Sequence, residues 1–193
     1  MNSLYKLYIK RCVDIIMSAL GLLVVAVPSL IIALITRLDS AGPVFFRQER
    51  SGKDKKPFYI YKFRSMPLSV RCDVPSIQLK GIKITRWQKF LRKSSLDELP
   101  QLINIFVGDM SFVGPRPVIC EEQDLIQERD KYGANNVLPG LTGWAQINGR
   151  DELDFVTKAR LDGDYVKHLS FSFDLRCLFA TVLYVVRQEG III

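Results

Sequence analysis

The stretch Arg92–Gln101 reads RKSSLDELPQ and concentrates the groups best suited to chemistry on phosphates. Asp97 and Glu98 are adjacent carboxylates, one able to act as a nucleophile and the other as an oxygen ligand for a hard divalent cation. Ser95 and Glu98 spell S-x-x-E, a capping-box signature that puts the pair in the first turn of a helix. Backbone N–H groups at such a turn can hold a phosphate. Successive helical residues point about 100° apart, so the two carboxylates approach a bound pyrophosphate from different angles. Arg92, roughly one turn upstream, can grip phosphate oxygens with a two-pronged guanidinium. A purely structural explanation covers the same residues: Ser95 caps, Glu98 returns the bond, and Asp97 favours the positive helix end. The segment alone leaves both open.

These groups need elements to position them. Val44–Arg50 and Phe58–Arg64 are rich in aromatic and β-branched residues and flank the polar turn Ser51–Pro57, which predicts a β-hairpin. In the second strand Tyr59, Tyr61 and Phe63 alternate with Lys62 and Arg64, the pattern of a half-buried strand whose basic residues face water. Pro67–Ile84 has no clear period and predicts a loop. Trp87, Phe90 and Leu91 have helical spacing. The helix opened at Ser95 carries Leu102, Ile103, Ile105 and Phe106 and ends at Gly108. Pro115 and Pro117 bracket Arg116 in a stiff turn. Glu121–Lys131 reads as a polar helix, and Pro139-Gly140, Gly143 and Gly149 as a looped stretch. The apolar run Leu175–Val186 is too short to span a membrane, which leaves a surface-lying helix or a core helix.

The strongest apolar signal comes first. Ile15–Thr36, 22 residues, contains no charge, with Lys6, Lys10 and Arg11 before it and Arg37 after. As a straight helix it reaches roughly 33 Å against a hydrocarbon core of about 30 Å. It exceeds the usual length of a signal-peptide core and no convincing cleavage site follows. Pro28 lacks an N–H and its ring collides with the carbonyl of Val24, so the helix must kink or break. The arms Ile15–Val27 and Ser29–Thr36 are each too short to cross, and Ser18 or Ser29 could donate to the freed carbonyls. Basic residues before the segment hold the N-terminus in the cytoplasm, and a re-entrant hairpin returns the chain to that side. A kinked spanning helix is the alternative reading.

Composition narrows the classes. The chain of 193 residues has 27 basic and 20 acidic side chains, a net charge of +7. That balance suits nucleic acid, an anionic lipid surface or a phosphorylated substrate. Cys12, Cys72, Cys120 and Cys177 are irregularly spaced, and the single His168 cannot complete a zinc site of the usual kind. Reduced, packing thiols are expected rather than a disulfide scaffold.

Four segments in order carry a family resemblance: KRCVD at 10–14, GPVFFRQERSGKDKKPFYIYKFRSM at 42–66, RKSSLDELPQLINIFVGDMSFVGPRP at 92–117 and PGLTGWAQINGRDEL at 139–153. Together they resemble the bacterial sugar transferase family, the small monotopic phosphoglycosyl transferases, from about Lys10 to Gly190. The resemblance implies a mixed, helix-rich α/β fold in a monotopic membrane protein. Residues 1–38 would form a re-entrant helix–break–helix at Pro28 and Ser29. Residues 39–193 would form a cytosolic catalytic domain with a β-hairpin and interfacial helices. It implies transfer of a sugar-1-phosphate from a UDP-sugar to polyprenyl (undecaprenyl) phosphate with release of UMP, initiating surface polysaccharide or glycoconjugate synthesis. By the family's Asp-Glu dyad, Asp97 attacks the sugar-linked phosphate and forms an aspartyl-phosphosugar, while Glu98 is the ligand of Mg2+. Arg92 and Arg116, with Lys62 beside them, handle phosphates. The implied place is the cytoplasmic face of the bacterial inner membrane. The implied partners are the two substrates and membrane lipid, with a homodimer allowed and no nucleic acid. A non-enzymatic membrane-anchored module binding nucleotide sugars is the competing reading. A nucleic-acid binder is disfavoured, because the basic residues are dispersed and no recognised motif is present.

Overall fold

The computed structural model describes residues 4–68, 83–149 and 153–187. A π-helical turn, Tyr5–Ile9, leads into a helix, α1, spanning Lys10–Asp39. At 30 residues α1 is about 45 Å long if straight, and it is the one helix among the described residues long and apolar enough to cross a membrane. The residues pointed to a kink or a break at Pro28 and the resemblance to a break, but helical structure runs through it. Loss of one N–H bends a helix without having to end it when flanking residues keep their own bonds. Ser18 does not serve the carbonyls near Pro28. Its hydroxyl donates back to Asp14 O at 2.6 Å and to Ile15 O at 3.1 Å. Pro28 is exposed and Ser29 half-buried.

Both ends of α1 are tied to the globule. Arg11 donates to the carbonyls of Ile105 and Phe106 at 2.6 and 2.7 Å, and Asp14 Oδ1 accepts from Phe112 N at 3.1 Å. At the other end Trp87 Nε1 donates to Thr36 Oγ1 at 3.0 Å, and Thr85 Oγ1 to Asp39 Oδ2 at 2.8 Å. Between these anchors Leu22 and Val25 pack on the core, while Leu20, Leu23, Val24, Val27, Leu30 and Leu34 are exposed.

The hairpin is present as β1 (Phe45–Ser51) and β2 (Pro57–Phe63), antiparallel, with Phe46 opposite Lys62 and Gln48 opposite Ile60. Next described is α2, Arg86–Ser94, opened by a capping box in which Gln88 N donates to Thr85 Oγ1 and Thr85 N to Gln88 Oε1. Of the loop expected at Pro67–Ile84, residues 69–82 lie outside the described residues, as does Cys72. After a 3₁₀ turn, Leu96–Glu98, the helix α3 runs Gln101–Val107 and ends at Gly108, whose φ is 105°. Leu102 and Ile105 of α3 join Ile60 and Met110 in a core cluster against α1.

Where a loop was expected near Pro139-Gly140, a short strand forms. β3 (Ser111–Val113) pairs in parallel with β4 (Gly140–Thr142). The polar helix α4 (Gln123–Asp130) lies between them in sequence and packs on α6 (Phe155–His168) through the buried Arg129–Asp162 ion pair at 2.6 Å. The short α5 (Trp144–Ile147) follows β4, and α7 (Phe171–Arg187) closes the described chain. One side of α7 is core, with Cys177 fully buried, and Phe171, Phe179, Val182 and Leu183 face outward. The core reading of this run is met on one face, and the other face is apolar and exposed. Cys12, Cys120 and Cys177 are free thiols.

Candidate active site

The Asp-Glu pair is held by a tight turn rather than by a helix N-terminus. Ser95 ends α2 in the left-handed conformation, φ 56°, with its N–H bonded to Arg92 O and Leu91 O. Its side chain makes no capping bond, so the capping box expected there is absent. Pro100 has no N–H to donate, and α3 starts only after it. Asp97 and Glu98 therefore sit in a 3₁₀ turn between two helices. Of the pair, Asp97 is buried and Glu98 half-buried.

Asp97 Oδ2 accepts a hydrogen bond from Ser65 Oγ at 2.8 Å. Burial pushes the Asp97 carboxyl above its usual range, and Glu98 adds to this; Lys62, the Ser65 bond and Arg92 pull the other way. Glu98 Oε1 receives Lys62 Nζ at 2.6 Å and Arg116 Nη2 at 3.3 Å. Lys62 points inward on β2 with 17% of its side chain exposed, whereas Tyr59 and Tyr61 face out. This reverses the expectation of a solvated basic face. Arg64, also expected in water, is buried and donates to the carbonyls of Ser40 and Ala41 at 2.6 and 2.7 Å.

Arg116 is aimed by its backbone. Gly114 N donates to Thr142 O and Gly140 N to Pro115 O, each at 2.8 Å, so β4 clamps the turn before it. Only glycine fits this clamp: a Cβ on Gly140 would lie 2.1 Å from Gly114 N, and one on Gly143 2.0 Å from Gly114 O. Arg92, half-buried in the last turn of α2, is near enough for its charge to favour ionised Asp97. The structure thus gathers Asp97, Glu98, Lys62, Arg92 and Arg116, five residues from three separate segments. Pro28 and Ser29 lie elsewhere, on α1.

Two residues were missed. Ser65 follows Lys62 within KFRSM, but strand alternation says nothing of a residue just past the strand end. Arg50 lies at the end of β1, on the same side as Gln48, to which it donates, and its Nη1 reaches Pro117 O at 3.4 Å. Its Nε is buried without a partner among the described residues. Burial first, then Arg116, pushes its guanidinium down to about 10, leaving it charged at neutral pH; Glu98 acts in the opposite sense. The period-2 alternation Gln48, Arg50 was the available signal.

Chemically, the site joins a buried carboxylate to several cations, which suits attack on an anionic phosphorus centre. As a metal donor set it offers Asp97 and Glu98. No cluster of three or more His, Cys, Asp or Glu poised for a metal occurs among the described residues. One or two carboxylates completed by substrate phosphates and water is how Mg2+ is commonly held, so the residues fit that ion.

The profile described as "Bacterial sugar transferase" matches residues 5–188. The chain is 40% identical over 183 residues to the "Uncharacterized sugar transferase EpsL" of Bacillus subtilis (strain 168), covering 95% of this chain and 90% of that one. It is 41% identical over 182 residues to the UDP-glucose:undecaprenyl-phosphate glucose-1-phosphate transferase of Escherichia coli (strain K12), covering 90% of this chain and 39% of the relative. The undecaprenyl-phosphate galactose phosphotransferase of Salmonella typhimurium is 35% identical over 200 residues, covering 95% of this chain and 41% of the relative. The chain therefore spans about two fifths of the length of the latter two.

Proposed function

Because the chain belongs to the bacterial sugar transferase family, we propose that it moves a sugar-1-phosphate from a UDP-sugar to undecaprenyl phosphate, releasing UMP. This would initiate a surface polysaccharide or glycoconjugate. The observation that carries the reading is the buried Asp97, bonded to Ser65, next to a Glu98 gripped by Lys62 and Arg116.

Asp97 attacks the phosphorus bearing the sugar; the bond to the bridging oxygen breaks and UMP leaves with the electron pair. An oxygen of undecaprenyl phosphate then attacks the same phosphorus and expels the Asp97 carboxylate, yielding the lipid diphosphate sugar. Two displacements let one compact site serve two bulky substrates in turn. Lys62, Arg92, Arg116 and Arg50 neutralise the phosphate oxygens, with the guanidinium of Arg116 able to bind two at once. Burial raises the energy of ionised Asp97 and makes it a better nucleophile than a solvated carboxylate. Glu98 would hold Mg2+, which when bound offsets charge on the pyrophosphate oxygens.

In this reading α1 is seated in one leaflet as a re-entrant element, with residues 39–193 as a cytosolic domain on the inner membrane. Its support is the double anchorage: Arg11 and Thr36 both bond to the globule, though they are separated by roughly 38 Å of helix if straight. A helix crossing the bilayer would leave one of those ends on the far side. The exposed apolar residues of α1 and α7 supply the membrane-facing surface.

The test is incubation of detergent-purified protein with a panel of UDP-sugars and undecaprenyl phosphate, following UMP and the lipid product. Lipid-dependent UMP release with one or more sugars is expected. Binding of UDP-sugars with no UMP release from any of them would point instead to the non-enzymatic module.

A further inference from the structure

A cavity of about 350 Å³ lies beside the Asp-Glu turn, with Glu98 at its edge. Its walls are mainly apolar: Leu99 and Leu102 on one side, Leu141 and Ile147 on another, Leu178 and Val182 of α7 on a third. Two of its polar groups are already engaged. The hydroxyls of Thr142 and Thr181 bond to each other at 2.6 Å, and Thr181 also donates to Cys177 O at 2.7 Å. Gln146 Nε2 donates to Leu141 O, and Gln146 Oε1 is the one buried acceptor of the lining left without a partner among the described residues. A sugar or nucleoside buried here would find few partners for its several hydroxyls or ring nitrogens, which is costly; hydrocarbon needs none.

The cavity also connects two surfaces. Val182 is part of its wall and of the exposed apolar face of α7, with Phe179 and Leu183. Leu102 is part of its wall and of α3, whose Ile103 and Phe106 are exposed. An occupant following this path is apolar along its length and meets Lys62 and Arg116, through their shared partner Glu98, at one end. Lys62 and Arg116 stand behind Glu98 rather than in the wall, and two cations against that one carboxylate leave a net positive charge that draws an anion.

We propose that the cavity holds the first isoprene units of the polyprenyl phosphate acceptor. Its phosphate lies toward Glu98, Lys62 and Arg116, and the rest of the chain leaves past Val182 into the membrane. The assignment rests on the transfer reading above and adds where the lipid binds. Donor and acceptor then do not compete for this space, since its mainly apolar walls favour hydrocarbon over a sugar or nucleoside.

The experiment uses a polyprenyl phosphate with a diazirine on its first isoprene unit, photolysed with the unaltered protein in detergent. Adducts should map to residues 94–102, 139–149 or 171–187 and be suppressed by plain polyprenyl phosphate but not by UDP-sugar. Adducts confined to other segments, or none that the plain lipid suppresses, would overturn the proposal. In kinetics, Val182→Trp, at a largely exposed position, should raise KM for the lipid about tenfold and leave KM for the UDP-sugar within about twofold. An unchanged lipid KM in a folded Val182→Trp protein would also overturn it. Photolabelling needs no turnover, so a labelled cavity without UMP release would strike the transfer reading and leave the lipid site standing.

Discussion

Asp97 sets the sharpest expectations at the scale of single residues. Its carboxyl titrates above the usual range of about 4 because burial penalises the charge. A carboxyl whose folded value is raised stabilises the fold below its unfolded value, and that contribution is lost as pH rises through the folded value. Above that folded value the ionised group therefore costs stability. Asp97→Asn should abolish UMP release in a deamidation-checked sample while leaving the thermal midpoint unchanged or higher. Appreciable turnover would refute Asp97 as nucleophile. The same shift predicts that kcat/KM rises with pH through a midpoint above the ordinary Asp range. Ser65→Ala removes a bond that favours the carboxylate, so this acid limb should move to higher pH. A limb that stays put would detach Ser65 from the chemistry. For Arg116→Lys, charge is kept but the planar fork is lost, and a loss of about 1.5–3 kcal/mol in kcat/KM is expected. Wild-type kinetics would relegate Arg116 to structure.

Among the elements, the parallel pair β3–β4 is small, yet it orients Arg116. Its closeness depends on glycines, and Gly140→Ala is the direct probe. The added methyl would sit 2.1 Å from Gly114 N and 2.3 Å from Thr142 O, both backbone atoms that cannot swing away. The strands must part, at a cost of about 1–3 kcal/mol typical of overpacking, and the Arg116 turn moves with them. Denaturant unfolding and UMP release should both decline. An Ala variant of full stability and activity would mean that the clamp is looser than its geometry. The turn at Ser95 works similarly: a left-handed residue stops α2 and lets two acidic side chains face β2 instead of continuing around a helix.

For the whole molecule, the arrangement of α1 decides which side of the membrane each part occupies. Its two ends share one globule, and its exposed apolar stripe lies between them. With the native cysteines replaced, Asn2→Cys and Lys53→Cys should each resist a membrane-impermeant thiol reagent in intact cells and label once cells are opened. Labelling of the Asn2→Cys protein alone in intact cells would establish a spanning helix and end the re-entrant reading.

Local patterns in the sequence already determined the hairpin, the stop of α3 at Gly108 and the apolar length of α1. Each depends on residues near one another in the chain, where periodicity and turn chemistry act directly. Asp97, Glu98 and Arg92 stood out as candidates within one local segment, whereas Lys62 and Arg116 joined them only through the ordered motifs, since no local rule says that residues 62, 97 and 116 meet. Tertiary structure decided that Lys62 turns inward, because a carboxylate from another segment waits there to pair with it. It brought Ser65 and Arg50 into the site and moved the capping box to Thr85 and Gln88. It also made a strand of Gly140–Thr142, whose partner lies far back in the chain and whose glycines read locally as loop. At Pro28 the local rule allowed a kink or a break, and helix continues through it. A proline removes a single hydrogen bond, whereas packing and anchors along α1 act on both sides of it.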